Sequence, residues 1–187
     1  MEHPKVDLSS YDNSWYDPGA SFLKRAFWYR FNSAFFCSRF PFMGFKRFLL
    51  RSFGAKVGKG VVIKPSVNIK SPWLLEIGDH TWIGEKVWID NLVKVKIGSS
   101  CCLSQGAMLL TGNHNYKKRT FDLMTGMITL EDGVWIGAKA VVCPGVNCRT
   151  NSILTVGSVA TGEMESGFIY TGNPAVKIKE RKIEIPQ

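Results

Sequence analysis

The sequence predicts an all-β solenoid, a parallel β-helix of about five triangular coils with an N-terminal helical cap and one extruded loop. Three observations carry this reading. Leu130, Ile136, Val142, Cys148, Leu154 and Ala160 fall six residues apart without a slip, and Val57-Ile63-Ile69, Ile77-Ile83-Ile89 and Ile97-Leu103-Leu109 keep the same beat upstream. Four places after each of the first five positions in the clean stretch stands a small or β-branched residue: Val134, Ala140, Val146, Ser152 and Ser158. Glycine often follows the aliphatic residue, as at Gly58, Gly78, Gly84, Gly98 and Gly137. A helix repeats its apolar positions near 3.6 and an ordinary strand near 2, so neither sustains a period of six. One short strand plus a turn does, with the aliphatic side chain inward, and three hexads close one coil of a solenoid.

Taken in order, residues 1–20 are polar and rich in turn formers, ending in Asp17-Pro18-Gly19, and are expected to be irregular. A helix is expected from Ser21, its cap, to Phe40, with Phe27, Phe31, Ala34 and Phe35 at helical spacing and Pro41 as the break. A second runs from Phe42 to about Phe53 and closes at Gly54. This pair would cap the open first coil, which otherwise exposes unpaired strand edges. Residues 1–56 thus form tail and cap, 57–165 the β-helix, and 166–187 a C-terminal tail. The third coil takes 33 residues, from 97 to 129, where its neighbours take 18 or 20. The excess is a loop over 111–127, and long excursions from a rigid scaffold tend to carry function.

Composition narrows the classes. The 187 residues carry a net charge of +9, and eight Lys or Arg stand between Phe22 and Lys56 without one Asp or Glu. Twelve aromatic residues share the 22–53 stretch, a mixture that suits a helical cap with a basic wet face, or a peripheral contact with a membrane. No nucleic-acid motif accompanies the charge, so no nucleic-acid partner is expected. The five cysteines, Cys37, Cys101, Cys102, Cys143 and Cys148, form no CxxC pair, fitting neither a disulfide framework nor zinc. Buried thiols in a reducing cytoplasm are the expectation, with neither a signal peptide nor a membrane-spanning run.

Three histidines exist. His3 reads as solvent-exposed tail and His80 as an outward corner residue. His114, between Asn113 and Asn115 in the long loop, reads equally as a polar loop residue or a catalytic base.

A hexad solenoid with a looped-out histidine and a Gly172-Asn173-Pro174-Ala175 tail resembles the hexapeptide-repeat acyltransferases, and within them the colanic-acid-type exopolysaccharide O-acetyltransferases. The matching stretches are 48–56, 63–67, Thr111-Gly112-Asn113-His114-Asn115-Tyr116, Thr120-Phe121-Asp122, 172–176 and Lys179-Glu180-Arg181. The resemblance implies a left-handed coil, where the crossover rule for parallel strands would have given the opposite hand. It implies transfer of acetyl from acetyl-CoA to a sugar hydroxyl, with no metal and no covalent intermediate. The acceptor would be a sugar or a lipid- or nucleotide-linked saccharide. By the resemblance His114 is the general base, the Ala138 N–H stabilises the oxyanion and Trp135 lines the site. Val156 and Gly157 line the pantetheine slot. A lysine that many relatives carry after the last coil is replaced here by Thr161-Gly162-Glu163, leaving Lys177 and Lys179 as candidates for the cofactor phosphates. Asp122, or a backbone carbonyl, would orient His114; Asp90, Asn91 and Asn113 would face the acceptor. Relatives are usually trimers with a site between subunits, and the expected place is the cytoplasm, with contact to the inner face of the membrane as a second role.

Two other classes compete. A γ-type carbonic anhydrase shares the solenoid but needs three histidines on neighbouring coils, and this solenoid has only His80 and His114. A non-catalytic scaffold would give His114 no role and the basic, aromatic segment the main one.

Overall fold

Short strands recur along three walls. The first wall stacks Lys56–Val57, Leu75–Ile77, Val95–Ile97, Ile128–Leu130 and Asn147–Cys148. The second stacks Val62–Ile63, Trp82–Ile83, Cys102–Leu103, Trp135–Ile136 and Ile153–Leu154. The third stacks Asn68–Ile69, Trp88–Asp90, Met108–Leu110, Val141–Val142 and Val159–Ala160. The computed structural model describes residues 5–184, so His3 lies outside the described residues. Pairing is parallel and in register, so Ile97 lies between Ile77 and Leu130, and Leu130 in turn meets Cys148. Register of this kind stacks like on like, and Ile63, Ile83, Leu103, Ile136 and Leu154 form one buried aliphatic column.

The edge between the first and second walls must turn the chain sharply, and it does so through a left-handed residue in every coil. Gly60, His80, Ser100, Gly133, Asn151 and Gly167 all have positive φ there. His80 (φ 57°) is one rung of that column, its N–H donating to the Lys59 carbonyl at 2.7 Å. This is a turn position that happens to carry an imidazole.

The chain closes five coils and begins a sixth. Met164 bridges Cys148, and Phe168–Gly172 extends the second wall before Ala175–Glu180 folds back antiparallel on it. The segment after 165, expected as tail, is therefore partly solenoid. Its step is two residues shorter than the preceding 18, Ile153 pairing with Ile169, and that slip takes Met164 and Tyr170 out of the hexad phase although both are buried.

The helical region is also shorter than expected. Helix α1 is Phe22–Phe31, capped by Ser21 Oγ, and widens into a π turn over Asn32–Phe36; α2 is Met43–Ser52. The reason for the early end lies in Asn32, whose amide is committed to the first coil. It donates to Asn68 Oδ1 at 2.7 Å and accepts from Ile69 N at 3.3 Å. The bare edge of coil one is finished by side chains in the same way. Trp28 Nε1 donates to the Ile69 carbonyl at 2.8 Å, Arg47 to Val61 at 2.8 Å, Lys46 to Lys64 at 3.1 Å and Arg51 to Val57 at 2.7 Å. Much of the basic charge is thus structural, since an unmet buried carbonyl is costly. Lys46 is fully buried, and desolvation pulls its pKa down. No helix among the described residues is long and apolar enough to cross a membrane.

Candidate active site

The third coil opens where the third wall turns back to the first. Thr111, fully buried, anchors that exit: its hydroxyl donates to the Asp90 carbonyl at 3.0 Å and accepts from Leu92 N at 2.8 Å. The excursion is then a β-hairpin, Gly112–His114 antiparallel to Leu123–Thr125. Gly112 packs against the Leu92 side chain, whose end would have to move aside for a Cβ there.

His114 closes the first strand of this hairpin. Its Nδ1 lies 2.9 Å from the Phe121 carbonyl, and its ring stacks on Phe121 at 4.5 Å between centroids and 8° between planes. A carbonyl only accepts, so Nδ1 carries the proton and Nε2 keeps a lone pair. Phe121 holds φ at 52°, a costly conformation for a bulky residue, and that bend aims its carbonyl at the imidazole. The orienting group is this carbonyl and not Asp122. The Asp122 carboxylate binds Lys118 Nζ at 2.7 Å and the Thr120 hydroxyl, and Lys118 chiefly, then Thr120, holds its pKa below the usual value. Asn113 is exposed and its Oδ1 accepts from the His114 N–H at 2.8 Å. The N-terminal tail also reaches the hairpin. Asp7 N donates to the Arg119 carbonyl at 3.0 Å, and Tyr11 stands 5.7 Å from the His114 ring.

The residues expected for the donor lie on a different edge, between the second and third walls. A groove of about 420 Å³ there is lined by Ser104, Trp135, Gly137, Ala138, Thr155 and Val156 among others. Trp135 is fixed by its Nε1 donating to Ser104 Oγ at 2.9 Å. Gly137 permits the close approach of coils, since a Cβ would fall 2.6 Å from the Thr155 carbonyl carbon and Val156 N. The Ala138 carbonyl accepts from Gly157 N at 2.9 Å, whereas the Ala138 N–H has no acceptor among the described residues. Val156 is 71% exposed, and the Cβ direction of Gly157 is open. Lys177 is engaged by Glu165 at 2.7 Å, which raises its pKa, and sits over the Phe168 ring at 4.4 Å. Lys179 is exposed on the last strand.

Within one chain, then, His114 and Ala138 are not neighbours: the whole third wall separates their edges. Asp90 lies on that wall, ion-paired to Lys70 at 2.8 Å, and lines a cavity of about 520 Å³ with Tyr16, Arg25, Tyr29, Trp88 and Leu92. Leu92, whose side chain lies against Gly112, also lines this cavity, so the cavity reaches the base of the hairpin. Asn91 does not face it. It is fully buried, its amide closed on Ser71 N (2.9 Å) and Ser71 O (2.6 Å), and the expectation that it meets an acceptor is corrected accordingly. Sequence reasoning missed Tyr11 and Tyr16, which the N-terminal tail brings back to His114 and to the Leu92 carbonyl, and Arg25 of α1, which lines the same cavity as Tyr16. Among the described residues no group of three His, Cys, Asp or Glu is placed to hold a metal ion.

No family profile matches the chain. Against individual proteins, it is 34% identical over 164 residues to the Escherichia coli K12 protein named as the colanic acid biosynthesis acetyltransferase WcaF, covering 87% of this chain and 90% of that one. The chain belongs to the hexapeptide-repeat acetyltransferases. It is an acyltransferase, and its fold is the left-handed parallel β-helix. Galactoside O-acetyltransferase of E. coli K12 is 26% identical over 135 residues, covering 71% of this chain and 66% of the relative. Among solved structures, a hexapeptide-repeat acetyltransferase of Vibrio cholerae complexed with acetyl coenzyme A superposes with a TM-score of 0.79 at 21% identity, covering 89% of this chain and 93% of that one. A galactoside acetyltransferase in complex with coenzyme A gives 0.77 at 23% identity, covering 86% and 82%.

Proposed function

We propose that this acyltransferase moves acetyl from acetyl-CoA to a saccharide hydroxyl in exopolysaccharide biosynthesis, with His114 as general base. One observation carries the mechanism: the Phe121 carbonyl fixes the tautomer that leaves His114 Nε2 free to accept a proton. The acceptor oxygen gives its proton to Nε2 and attacks the thioester carbonyl. The tetrahedral oxyanion takes a hydrogen bond from the Ala138 N–H, then collapses, breaking the carbon–sulfur bond. The leaving thiolate recovers the proton from the imidazolium, so CoA and an O-acetyl ester are the products. Trp135, Val156 and Gly157 wall the donor slot, and Lys179, with Lys177 once released from Glu165, meets the cofactor phosphates.

The acceptor is a sugar carried on a nucleotide or a lipid. Its pocket is the cavity that Leu92 shares with the base of the hairpin, where Tyr16, Tyr29 and Trp88 offer ring faces and Arg25, Lys70 and Asp90 offer polar partners. Asn113 and Asp122 stand on the hairpin and are not among the residues lining that cavity, so any contact they make with the acceptor is outside it. The names of the relatives support the substrate class, one referring to colanic acid and one to a galactoside. A homotrimer supplies the missing proximity of His114 and Ala138. The outward residues of the second wall include Trp82 and Trp135 and those of the third Trp88, Met108 and Val141, whereas the first wall shows Lys56, Glu76 and Lys96. Two apolar walls meeting at one edge are what a closed heterologous ring needs. The enzyme works in the cytoplasm, its cap end reaching the inner face of the membrane.

Purified protein given acetyl-CoA and saccharide repeat units should release CoA thiol and yield a sugar heavier by one acetyl. Mild base should remove that acetyl, because it is an ester. Thiol release without acetyl gain, or a base-stable product, overturns the reading.

A further inference from the structure

The cap has two sides. One, with Trp28, Leu49 and Leu50, is buried against coil one. The other carries rings with nothing over them: Phe27, Phe42 and Phe48 are 60%, 66% and 61% exposed. Phe42, Phe40, Phe45 and Phe48 form one continuous run of ring contacts, at 5.2, 5.6 and 6.4 Å, that joins the turn after α1 to the outer face of α2. Arg30 and Arg39, which precede Phe31 and Phe40 in the chain, are exposed and have no ion-pair partner among the described residues. No Asp or Glu occurs between Asp17 and Glu76. A second copy docking here would bring like charges together, which opposes association. Exposed aromatics under a purely cationic field match the interface of an anionic bilayer.

We infer that this end of the solenoid docks on an anionic lipid surface, and that the acceptor is presented from that surface on a lipid carrier. The second half rests on the transferase reading; the first does not. His114 leaves the third coil, so two coil spacings of about 4.8 Å and a helix layer of about 10 Å place it roughly 20 Å above the lipid. The acetylated sugar therefore stands several units out from the lipid phosphate. A side-by-side parallel trimer turns three caps to the same plane, so weak single contacts add as avidity.

Full-length protein should sediment with phosphatidylglycerol-containing vesicles at low salt and not with phosphatidylcholine vesicles. Binding should fall at least about tenfold in 0.5 M salt, in Phe42→Ser/Phe48→Ser and in Arg30→Glu/Arg39→Glu. Both variants keep the buried side of the cap; if the phenylalanine pair unfolds the protein, the arginine pair carries the test alone. Absent binding at low salt, equal binding to both vesicles, or binding unchanged in the variants overturns the surface assignment. A doubling of mass without lipid that Phe42→Ser/Phe48→Ser abolishes would overturn it in favour of a second copy. His114→Ala separates the two readings, since it should lose transfer and keep vesicle binding. With labelled acetyl-CoA and membranes, label should enter the organic-extractable saccharide; label confined to water-soluble nucleotide sugars overturns the lipid-carrier half.

Discussion

Replacing His114 by alanine removes a proton acceptor from a hairpin that does not depend on it. The imidazole contributes one hydrogen bond, to the Phe121 carbonyl, and one ring stack. A single hydrogen bond is worth about 1 kcal/mol net, so the variant should melt close to the parent. Buried Thr111 and the strand pairing from Gly112–Thr125 to His114–Leu123 keep the hairpin in place. Acetyl-CoA affinity should be little changed, because Trp135, Ala138 and Val156, not His114, wall the donor groove. Turnover, followed as CoA thiol release, should fall by about 10²–10⁴-fold, the usual share of general-base catalysis. His80→Ala is the control: the parent imidazole already stands at φ 57°, so alanine inherits the same backbone strain and turnover per folded molecule should stay. If His114→Ala keeps most of its activity while His80→Ala loses it, the base has been misassigned and the site lies on the first edge.

Other outcomes follow from the solenoid and its cap. Trp28→Phe takes the donor from the Ile69 carbonyl and should cost about 1–3 kcal/mol in a denaturant titration; no loss would mean that water serves that edge equally well. Glu76, bonded first by Lys94 and then by Lys56, is lowered to about 2, so its contribution to stability is full above about pH 4.5 and lost as pH falls through about 2. Glu76→Gln should flatten that part of the acid unfolding curve, and an unaltered curve would refute the ion-pair assignment. Burial pushes the Cys101 and Cys148 thiols up to about 11 and about 12, so iodoacetamide at pH 8 should leave both untouched until the protein is denatured, while exposed Cys37 reacts. Native labelling of Cys148 at the rate of a free thiol would contradict its place in the core.

The solenoid was legible because a parallel in-register stack repeats each inward position, so one column such as Ile63-Ile83-Leu103-Ile136-Leu154 leaves a fixed period in the chain. Handedness leaves no such trace, and came only through resemblance. The sixth coil was lost to a shortened step before Met164. In the cap, charge was read as a wet face, yet Lys46, Arg47 and Arg51 point at carbonyls of coil one. Which strand edge lacks a partner is a property of the assembled fold, so no local pattern announces it. The histidine was visible as a residue, but its orienting partner was not. Every residue offers a carbonyl, and only the left-handed bend at Phe121 distinguishes this one.

The strongest consequence concerns two halves of a site held on different edges. If neighbouring subunits bring His114 to Ala138, two inactive variants should repair each other. His114→Ala lacks the base. Ala138→Pro lacks the N–H proposed for the oxyanion, which should cost about 10²–10³-fold, and the fold loses no hydrogen bond there because that N–H has no acceptor among the described residues. In a heterologous trimer each site takes its base from one subunit and its donor slot from the next. Equal mixing of the two variants by joint refolding makes about a quarter of the sites wholly native. Turnover should then return to about a quarter of the parental value, far above either variant alone, in a species of three times the 20.9 kDa chain by sedimentation. A mixture no more active than its components, or full activity in a monomer, would mean that one chain bends its own hairpin across the third wall.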